Sequence, residues 1–261
     1  MSQVIERELE LLAPVYELRS GNRTIPHDLT IIVPVYNEED NLARVERELF
    51  AFVKESRVAT TILFINDGSA DTSLAMIEAI CSRNMHFHFL SFKKNMGLSA
   101  AIKAGIDHAK TSLIGYIDAD LQTTPGDFHK LLQELGDNDL VTGVRQNRKD
   151  SFVKKMSSTI ANSIRRAFTH DGMDDTGCPL KIIKAEAAKK IPMFSGLHRF
   201  LPAMILLQNG KIKQVPVRHF PRIAGKANFG LANRLLGPLS DCFAYLWMKK
   251  KYINYEIGKK G

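Results

Sequence analysis

The chain has 261 residues, 44% apolar and 25% charged, which suffices to bury a full core in one large α/β domain or two small ones. Its three cysteines, Cys81, Cys178 and Cys242, are odd in number and lack metal-ligand spacing, arguing against a disulfide framework or structural zinc and for a reducing compartment. The net charge of +8 is unevenly spread: residues 1–144 hold 13 Lys and Arg against 21 Asp and Glu, whereas residues 145–261 hold 23 against 7. The acidic half suits a cation and a base or ribose, and the basic half an anionic partner such as phosphate or a membrane face. Nucleic acid is the weaker choice, because no helix-turn-helix, zinc finger or aromatic RNA-binding signature accompanies the charge. No basic-flanked apolar leader opens the chain, and no run of about 18 apolar residues occurs, so neither a secretory signal nor a membrane-spanning helix is expected.

Residues 1–27 read as a peripheral extension, an amphipathic helix from Val4 to Leu12 followed by the polar linker Ser20-Gly-Asn-Arg-Thr24. Leu29 to Val35 is a near-continuous Ile/Val run, as expected of a strand buried on both faces. It ends in Pro34-Val-Tyr-Asn-Glu38, where Asn37 to Asp40 can cap a helix running through Leu42, Val45, Leu49 and Val53. A capping role leaves Tyr36 unexplained. Thr60 to Ile65 is a second strand, and Asn66-Asp-Gly-Ser69 turns it into a helix through Ala75, Ile77 and Ile80. Phe87 to Phe92 is a third strand, followed by a helix opened by Asn95-Met-Gly97 and rich in small residues, in which Gly97 and Gly105 are expected to serve close packing on the sheet. No Gly-x-Gly-x-x-Gly or Walker Gly-Lys-Ser/Thr follows any strand, which counts against dinucleotide oxidoreductases and P-loop NTPases.

The fourth strand, Leu113 to Ile117, stops at Asp118-Ala-Asp120. In an open α/β sheet the carboxyl edge is where ligands bind, and two carboxylates flanking one small residue can converge on a hard divalent cation whose other ligands are phosphate oxygens and water. Alternatively, Asp120 or Thr124 simply caps the helix that starts at Pro125 and continues through Phe128, Leu131, Leu132 and Leu135. Asp139 to Val144 is a fifth strand. Regular alternation of strand and helix predicts a mostly parallel, doubly wound α/β sheet.

In this order and spacing, Pro34-Val-Tyr-Asn-Glu38, Asn66-Asp-Gly-Ser-Ala-Asp71, Asn95-Met-Gly97, Asp118-Ala-Asp-Leu-Gln122 and Gly143-Val-Arg145 resemble the family 2 glycosyltransferases of GT-A fold. The similarity covers roughly residues 29–230 and is strongest to the polyprenyl-phosphate, dolichol-phosphate mannose synthase type. It implies an organisation into an N-terminal extension (1–27), a GT-A domain (28–230) with a nucleotide-sugar half (28–144) and an acceptor half (145–230), and an amphipathic basic tail (231–261). It also implies that Pro34, Tyr36, Glu38 and Asp67 line the base and ribose pocket. Asp118 and Asp120 would hold Mg2+ or Mn2+ against the diphosphate, with Gln122 beside the ion or the sugar. The family commonly carries two acids before Gly-Ser; here the first is Asn66, which unsettles any contact requiring a second carboxylate there.

In the second half a helix from Val153 to Phe168 carries Lys154, Lys155, Arg165 and Arg166. Asp174-Asp-Thr-Gly-Cys-Pro-Leu-Lys181 resembles the family's Asp-x-x-Gly segment, making Asp174 the carried-over catalytic acid and Asp175 its replacement if the register slips; Leu180 stands where several relatives have Arg. His219-Phe-Pro-Arg-Ile-Ala-Gly-Lys226 resembles the family's Arg-x-x-Gly-Ser-Lys loop, so that Arg222 and Lys226, then Arg145 and Arg148, are the expected acceptor and phosphate ligands. The implied reaction is inverting single displacement from a UDP- or GDP-sugar onto a polyprenyl phosphate, with Asp120, Asp174 and Arg145 as its catalytic residues. Transfer to a saccharide hydroxyl is the alternative. A nucleotidyltransferase would need a Gly-rich, Arg-containing loop after the first strand, which Val35 to Asp40 lacks; a catalytically silent scaffold would tolerate loss of Asp118 or Asp120, and both are present.

In the tail, Leu235, Leu236, Leu239, Cys242, Phe243, Leu246 and Trp247 fall at helical spacing on one face ahead of Lys249-Lys-Lys251. Two readings stand: a helix packed on the core or a second copy, or an interfacial helix on an anionic leaflet. Gly237-Pro238 is expected to kink or divide it. Peripheral attachment at the cytoplasmic membrane face follows from the second reading, and oligomeric state is left open.

Overall fold

The structure, a computed structural model, describes residues 28–146, 165–221, 236–255 and 258–259. The readings placed on residues 1–27, on Arg148, on the helix up to residue 164, and on Arg222, Lys226, Leu231 and Leu235 lie outside them. In chain order the described elements are β1 (Asp28–Val35), α1 (Glu39–Glu55), β2 (Ala59–Asn66), α2 (Ser73–Arg83), β3 (Phe87–Ser91), α3 (Leu98–His108) and β4 (Leu113–Tyr116). A 3-10 turn (Pro125–Asp127) then leads into α4 (Phe128–Gln133), followed by β5 (Leu140–Arg145), a helical stretch at 165–169, β6 (Lys181–Lys184) and α5 (Ala185–Lys189). A second 3-10 turn (Leu197–Phe200), α6 (Leu201–Leu207), β7 (Ile212–Val217) and α7 (Leu236–Lys251) complete the order.

Seven strands form one sheet in the order β3-β2-β1-β4-β6-β5-β7. β1, β2, β3 and β4 run parallel, and β7 runs parallel to β5. β6 enters between β4 and β5, antiparallel to both, placing Lys181 opposite Tyr116. The doubly wound, mostly parallel sheet is therefore as expected, with one reversed strand that alternation alone did not reveal. The boundary at 144/145 falls inside β5, so both halves contribute strands to the same sheet.

Along β1, Leu29, Ile31, Val33 and Val35 pack into one face with Leu42, Val45 and Leu49 of α1, Ile77 of α2 and Phe128 of α4. Ile32 points to the other face, where Ile102 and Ile106 of α3, Met204 of α6, and Cys242 and Tyr245 of α7 lie. A strand covered on both faces explains the near-continuous Ile/Val run.

Several local readings are corrected. Glu38 occupies the position before α1 without a side-chain cap bond. The Asn37 side chain instead accepts from the Ala70 N–H at 2.8 Å, and the Glu39 N–H is taken by Asp71 across the gap at 3.3 Å. Asn37 holds a left-handed φ of 53°, which Asn tolerates and a cap position does not use. Pro125 opens a 3-10 turn, with the α-helix proper starting at Phe128 and ending before Leu135. Gly237 and Pro238 fall in the first turn of an unbroken α7, where proline costs no hydrogen bond. Gly97 does not serve packing: a Cβ there would meet nothing within 4 Å, but its φ is +87°, so its backbone conformation is what requires glycine. Gly105 does pack closely, since a Cβ would lie 2.6 Å from Ile32 Cδ1. Gly105→Val should therefore lower unfolding stability in a urea titration by about 1–3 kcal/mol, and Ile32→Ala in the same chain should recover part of that loss by vacating the space.

Candidate active site at the carboxyl edge of the sheet

Two loops at the ends of β1 and β2 are stitched together. The Asn37 and Glu38 N–H groups donate to Ser69 and Ser73 hydroxyls at 3.1 and 3.0 Å, and Glu39 accepts from the N–H and hydroxyl of Thr72. Gly68 makes the next loop fit, since a Cβ there would come within 2.3 Å of the Lys94 backbone. Asn66 is fully committed: its amide donates to Ser91 Oγ at 2.9 Å and its carbonyl oxygen accepts from the Ser69 N–H. The missing first acid is thus a residue using donor and acceptor together, which a carboxylate cannot do.

Asp67 is buried at this edge. Its carboxylate accepts from the Met96 and Gly97 N–H groups at 2.6 and 2.9 Å and from the Asn95 amide at 3.0 Å, fastening the Asn95–Gly97 loop. Burial raises its pKa while the two backbone amides oppose the rise. Pro34 and Tyr36, both half-buried, flank Val35, whose carbonyl accepts from the Asp67 N–H at 2.8 Å, and Glu38 is held by the Asn41 amide at 2.5 Å.

Beyond β4 the backbone turns through Asp118 and Asp120. Leu121 N–H closes the turn on the Asp118 carbonyl at 3.2 Å, and Leu121 adopts a φ of 45°. That is a costly conformation for leucine, offset here by complete burial of its side chain. Asp118 accepts a 2.5 Å hydrogen bond from the Tyr116 hydroxyl, and Asp120 accepts from the Gln122 N–H at 3.2 Å. Neither acid is a helix cap: Thr124 precedes the 3-10 turn without a side-chain cap bond. Burial and the neighbouring Asp120 push Asp118 up to about 6, against the hydrogen bond from Tyr116 and the charges of Lys181 and Arg145. Two carboxylates flanking one alanine at the end of a strand offer hard oxygen donors of the kind that suit a divalent cation.

β5 and β6 bring the basic half to the same edge. Arg145 grips Asp175 in a bidentate pair, Nε–Oδ2 2.7 Å and Nη2–Oδ1 2.8 Å, and its N–H also donates to Oδ2 at 3.2 Å. Burial works against the guanidinium, but Asp175 more than offsets it and keeps its pKa high. Gly177 leaves room for the arginine, since a Cβ would lie 3.1 Å from Nη2. Of the two adjacent acids it is Asp175 that pairs with Arg145. Asp174 is exposed, near Arg166 at 3.7 Å and tied through its N–H to Gln214. Of two adjacent loop residues only one side chain can turn inward, and Arg145 selects the second.

Lys181, the last residue of the segment that opens at Asp174 and one given no role from the sequence, is 1% exposed. Its ammonium donates to the carbonyls of Thr176 at 3.3 Å and of Cys178, holding the loop that carries Asp175. Burial pulls its pKa down, opposed in part by Asp175 and Asp118. The second signal missed is Tyr116, which read as one more apolar strand residue. Gln122 pairs with the far segment, its carbonyl accepting from the Phe220 N–H at 2.8 Å. Asp127 fixes the same segment by accepting from the Arg218 N–H at 2.8 Å.

Because the Asp118 pKa is raised above the ordinary carboxylate range, its contribution favours the fold below about pH 4 and is lost as pH rises through about 6. Without added metal, Asp118→Asn should melt higher than the parent at pH 7.5, and the gap should close below pH 4.5 in thermal unfolding.

The family model described as "Glycosyl transferase family 2" matches residues 30–192. Dodecaprenyl-phosphate galacturonate synthase of Rhizobium johnstonii is 31% identical over 211 residues, covering 78% of this chain and 62% of that protein. Undecaprenyl-phosphate 4-deoxy-4-formamido-L-arabinose transferase of Sodalis glossinidius is 31% identical over 205 residues, covering 78% and 63%. The chain thus spans a little under two thirds of the length of these relatives. Among solved structures, glucosyl-3-phosphoglycerate synthase from Mycobacterium tuberculosis in complex with Mn2+, UDP-glucose and phosphoglyceric acid superposes with TM-score 0.65 at 14% identity, over 89% of this chain and 83% of that one. A mannosyltransferase from Pyrobaculum calidifontis in complex with GDP-mannose and Mn2+ superposes with TM-score 0.63 at 14% identity, over 94% and 70%. The fold is shared with these glycosyltransferases, and with the family model covering more than half its length, the chain belongs to glycosyl transferase family 2.

Proposed function

We propose that the protein is a metal-dependent inverting glycosyltransferase moving a sugar from a UDP- or GDP-sugar to a polyprenyl phosphate. The observation that carries this reading is the meeting of Asp118 and Asp120 with Arg145, Asp175 and Lys181 at one sheet edge. Acids alone would suit a cation; acids ringed by buried cations suit a cation together with two phosphate-bearing substrates. The relatives named for dodecaprenyl and undecaprenyl phosphate support the lipid acceptor.

Asp118 and Asp120 would hold Mg2+ or Mn2+, which when bound neutralises the charge growing on the departing nucleoside diphosphate. Tyr116 fixes the orientation of Asp118, and the Gln122 N–H that of Asp120. Pro34, Tyr36, Glu38 and Asp67 border the base and ribose, with Asp67 acting chiefly through the loop it fastens. The acceptor phosphate has a second pKa near 6, so its oxygen attacks the anomeric carbon largely unassisted while the bond to the diphosphate breaks, inverting that centre. Positioning supplies most of the rate. Arg145, Arg148, Arg222 and Lys226 are the anion-holding set, and Asp175 takes the orienting role first assigned to Asp174, keeping Arg145 in place.

The tail gives the enzyme its seat. Cys242 and Tyr245 of α7 pack into the core, with Tyr245 stacked on Phe200 at 5.5 Å, so the expected single apolar face divides in two. Phe243 (59% exposed) and Trp247 (67%) point outward with Leu246, next to Lys249, Lys250 and Lys251 and ahead of exposed Ile253 and Tyr255. No described helix is long and apolar enough to cross a membrane. An outward aromatic stripe beside a lysine cluster suits the headgroup layer of an anionic, cytoplasm-facing leaflet.

A panel of labelled UDP- and GDP-sugars with polyprenyl phosphate and Mn2+ should yield one product that extracts into organic solvent, with inverted anomeric configuration, and none in chelator. Label recovered only in the aqueous phase on a free glycan would instead support transfer to a saccharide hydroxyl. Asp120→Ala should cut turnover by on the order of 1,000-fold or more; a fully active mutant removes the metal assignment. Trp247 is the only tryptophan in the chain, so its emission should shift blue on phosphatidylglycerol vesicles at low salt. Replacing Lys249, Lys250 and Lys251 by Gln should weaken that binding by on the order of 100-fold; unchanged emission would refute the membrane seat.

A further inference from the structure

His198 stands outside every role assigned so far. It lies in the 3-10 turn Leu197–Phe200, which packs against α3, and it is half-buried. Its Nδ1 is 2.7 Å from the Ser99 hydroxyl in the first turn of α3. The same hydroxyl oxygen accepts from the Gly196 N–H at 3.0 Å. Ser99 is itself 7% exposed, and its hydroxyl proton has no other acceptor among the described residues. A buried hydroxyl left without an acceptor is costly, so the proton goes to Nδ1. That fixes the imidazole tautomer: Nδ1 accepts, and Nε2 carries the hydrogen.

The ring also stays uncharged. Burial, then Arg199, then Lys181 push its pKa down to about 3, and no carboxylate pairs with it among the described residues; Asp241 is taken by Arg199 at 3.1 Å. Nε2–H has no partner among the described residues. Its turn lies by the carboxyl edge of the sheet: Ser99 stands two residues after Gly97, whose N–H donates to Asp67 at 2.9 Å, and Leu197 and Phe200 pack on the sheet face that Tyr116 shares. With Nε2–H unpaired among the described residues, the ring offers a neutral donor on the turn that packs against the first turn of α3.

We infer that His198, locked by Ser99 as the Nε2–H tautomer, donates a hydrogen bond to a phosphoryl oxygen of a bound substrate. The inference rests on the glycosyltransferase reading for which substrate brings that phosphate, the nucleotide donor or the lipid acceptor. A neutral donor has a specific value there, because it binds the anion without adding a charge that the departing diphosphate would have to escape. It also explains the serine lock: the other tautomer would turn a lone pair toward the phosphate and repel it.

The test begins on the unmodified protein with 15N-labelled histidine. Long-range proton–nitrogen correlation spectra, with the His198 signals assigned by their loss in His198→Gln, should report Nε2–H over pH 6 to 8. The His198 Nε2 resonance should move on addition of UDP or GDP with Mg2+, or of farnesyl phosphate, and the arm in which it moves names the source of the phosphate. A Nδ1–H tautomer, or a resonance indifferent to both ligands while either binds, overturns the inference. Neither readout requires turnover, so the inference can fail while sugar transfer stands, and can hold if the sugar donor proves different. Once turnover is established, His198→Ala should lower kcat/KM by about 10- to 100-fold, and Gln, whose amide retains an N–H, should recover part of it. Ser99→Ala should leave a mixture of tautomers in the same spectra. Full activity of His198→Ala in a folded protein would also sink the proposal.

Discussion

Two like charges brought together at the end of a buried strand govern the organisation of this molecule. Asp118 and Asp120 are separated by one alanine in a turn whose dihedrals leucine would ordinarily avoid, and burial makes their repulsion expensive. Everything nearby answers that repulsion. Tyr116 donates from below, the Gln122 amide from behind, and Lys181 and Arg145 supply opposite charge from two other strands. The result is a cluster in which two carboxylates, a hydroxyl, a lysine and an arginine from three strands and their loops meet at one edge of the sheet.

The reversed strand makes this balance attainable. β1 to β4 are parallel and could deliver only their own carboxyl-end loops to the edge. β6 runs the other way, so its first residue, Lys181, arrives opposite Tyr116, and the loop ahead of it brings Asp175 to Arg145 on β5. An acidic first half and a basic second half are thereby interleaved in one sheet rather than facing each other across a cleft between two domains.

Much of this was legible beforehand. Runs such as Leu29 to Val35 and Thr60 to Ile65 read as covered strands, and the abrupt halt at Asp118 marks the end of the fourth, with cation binding and helix capping both open there. What could not be read were choices made in three dimensions. Asp174 and Asp175 are adjacent and chemically identical, so only the fold could say which of them pairs with Arg145. Tyr116 and Lys181 were hidden by habit: a tyrosine in an apolar run reads as core, and a lysine beside a turn reads as solvated. The alternation of Lys181 with Ile183, both buried, was the available clue. In α7 the pattern was recognised, but helical spacing cannot say that Cys242 turns inward with Tyr245 while Phe243 and Trp247 turn out.

Gly196 links the two ends of this arrangement. A methyl group there would fall 2.2 Å from Asp241 of α7, the residue that also holds Arg199. Helix and turn are therefore in contact at a point where neither has slack, two residues from His198. The placement of α7 and that of the turn carrying His198 are therefore set together, and neither can be moved without moving the other.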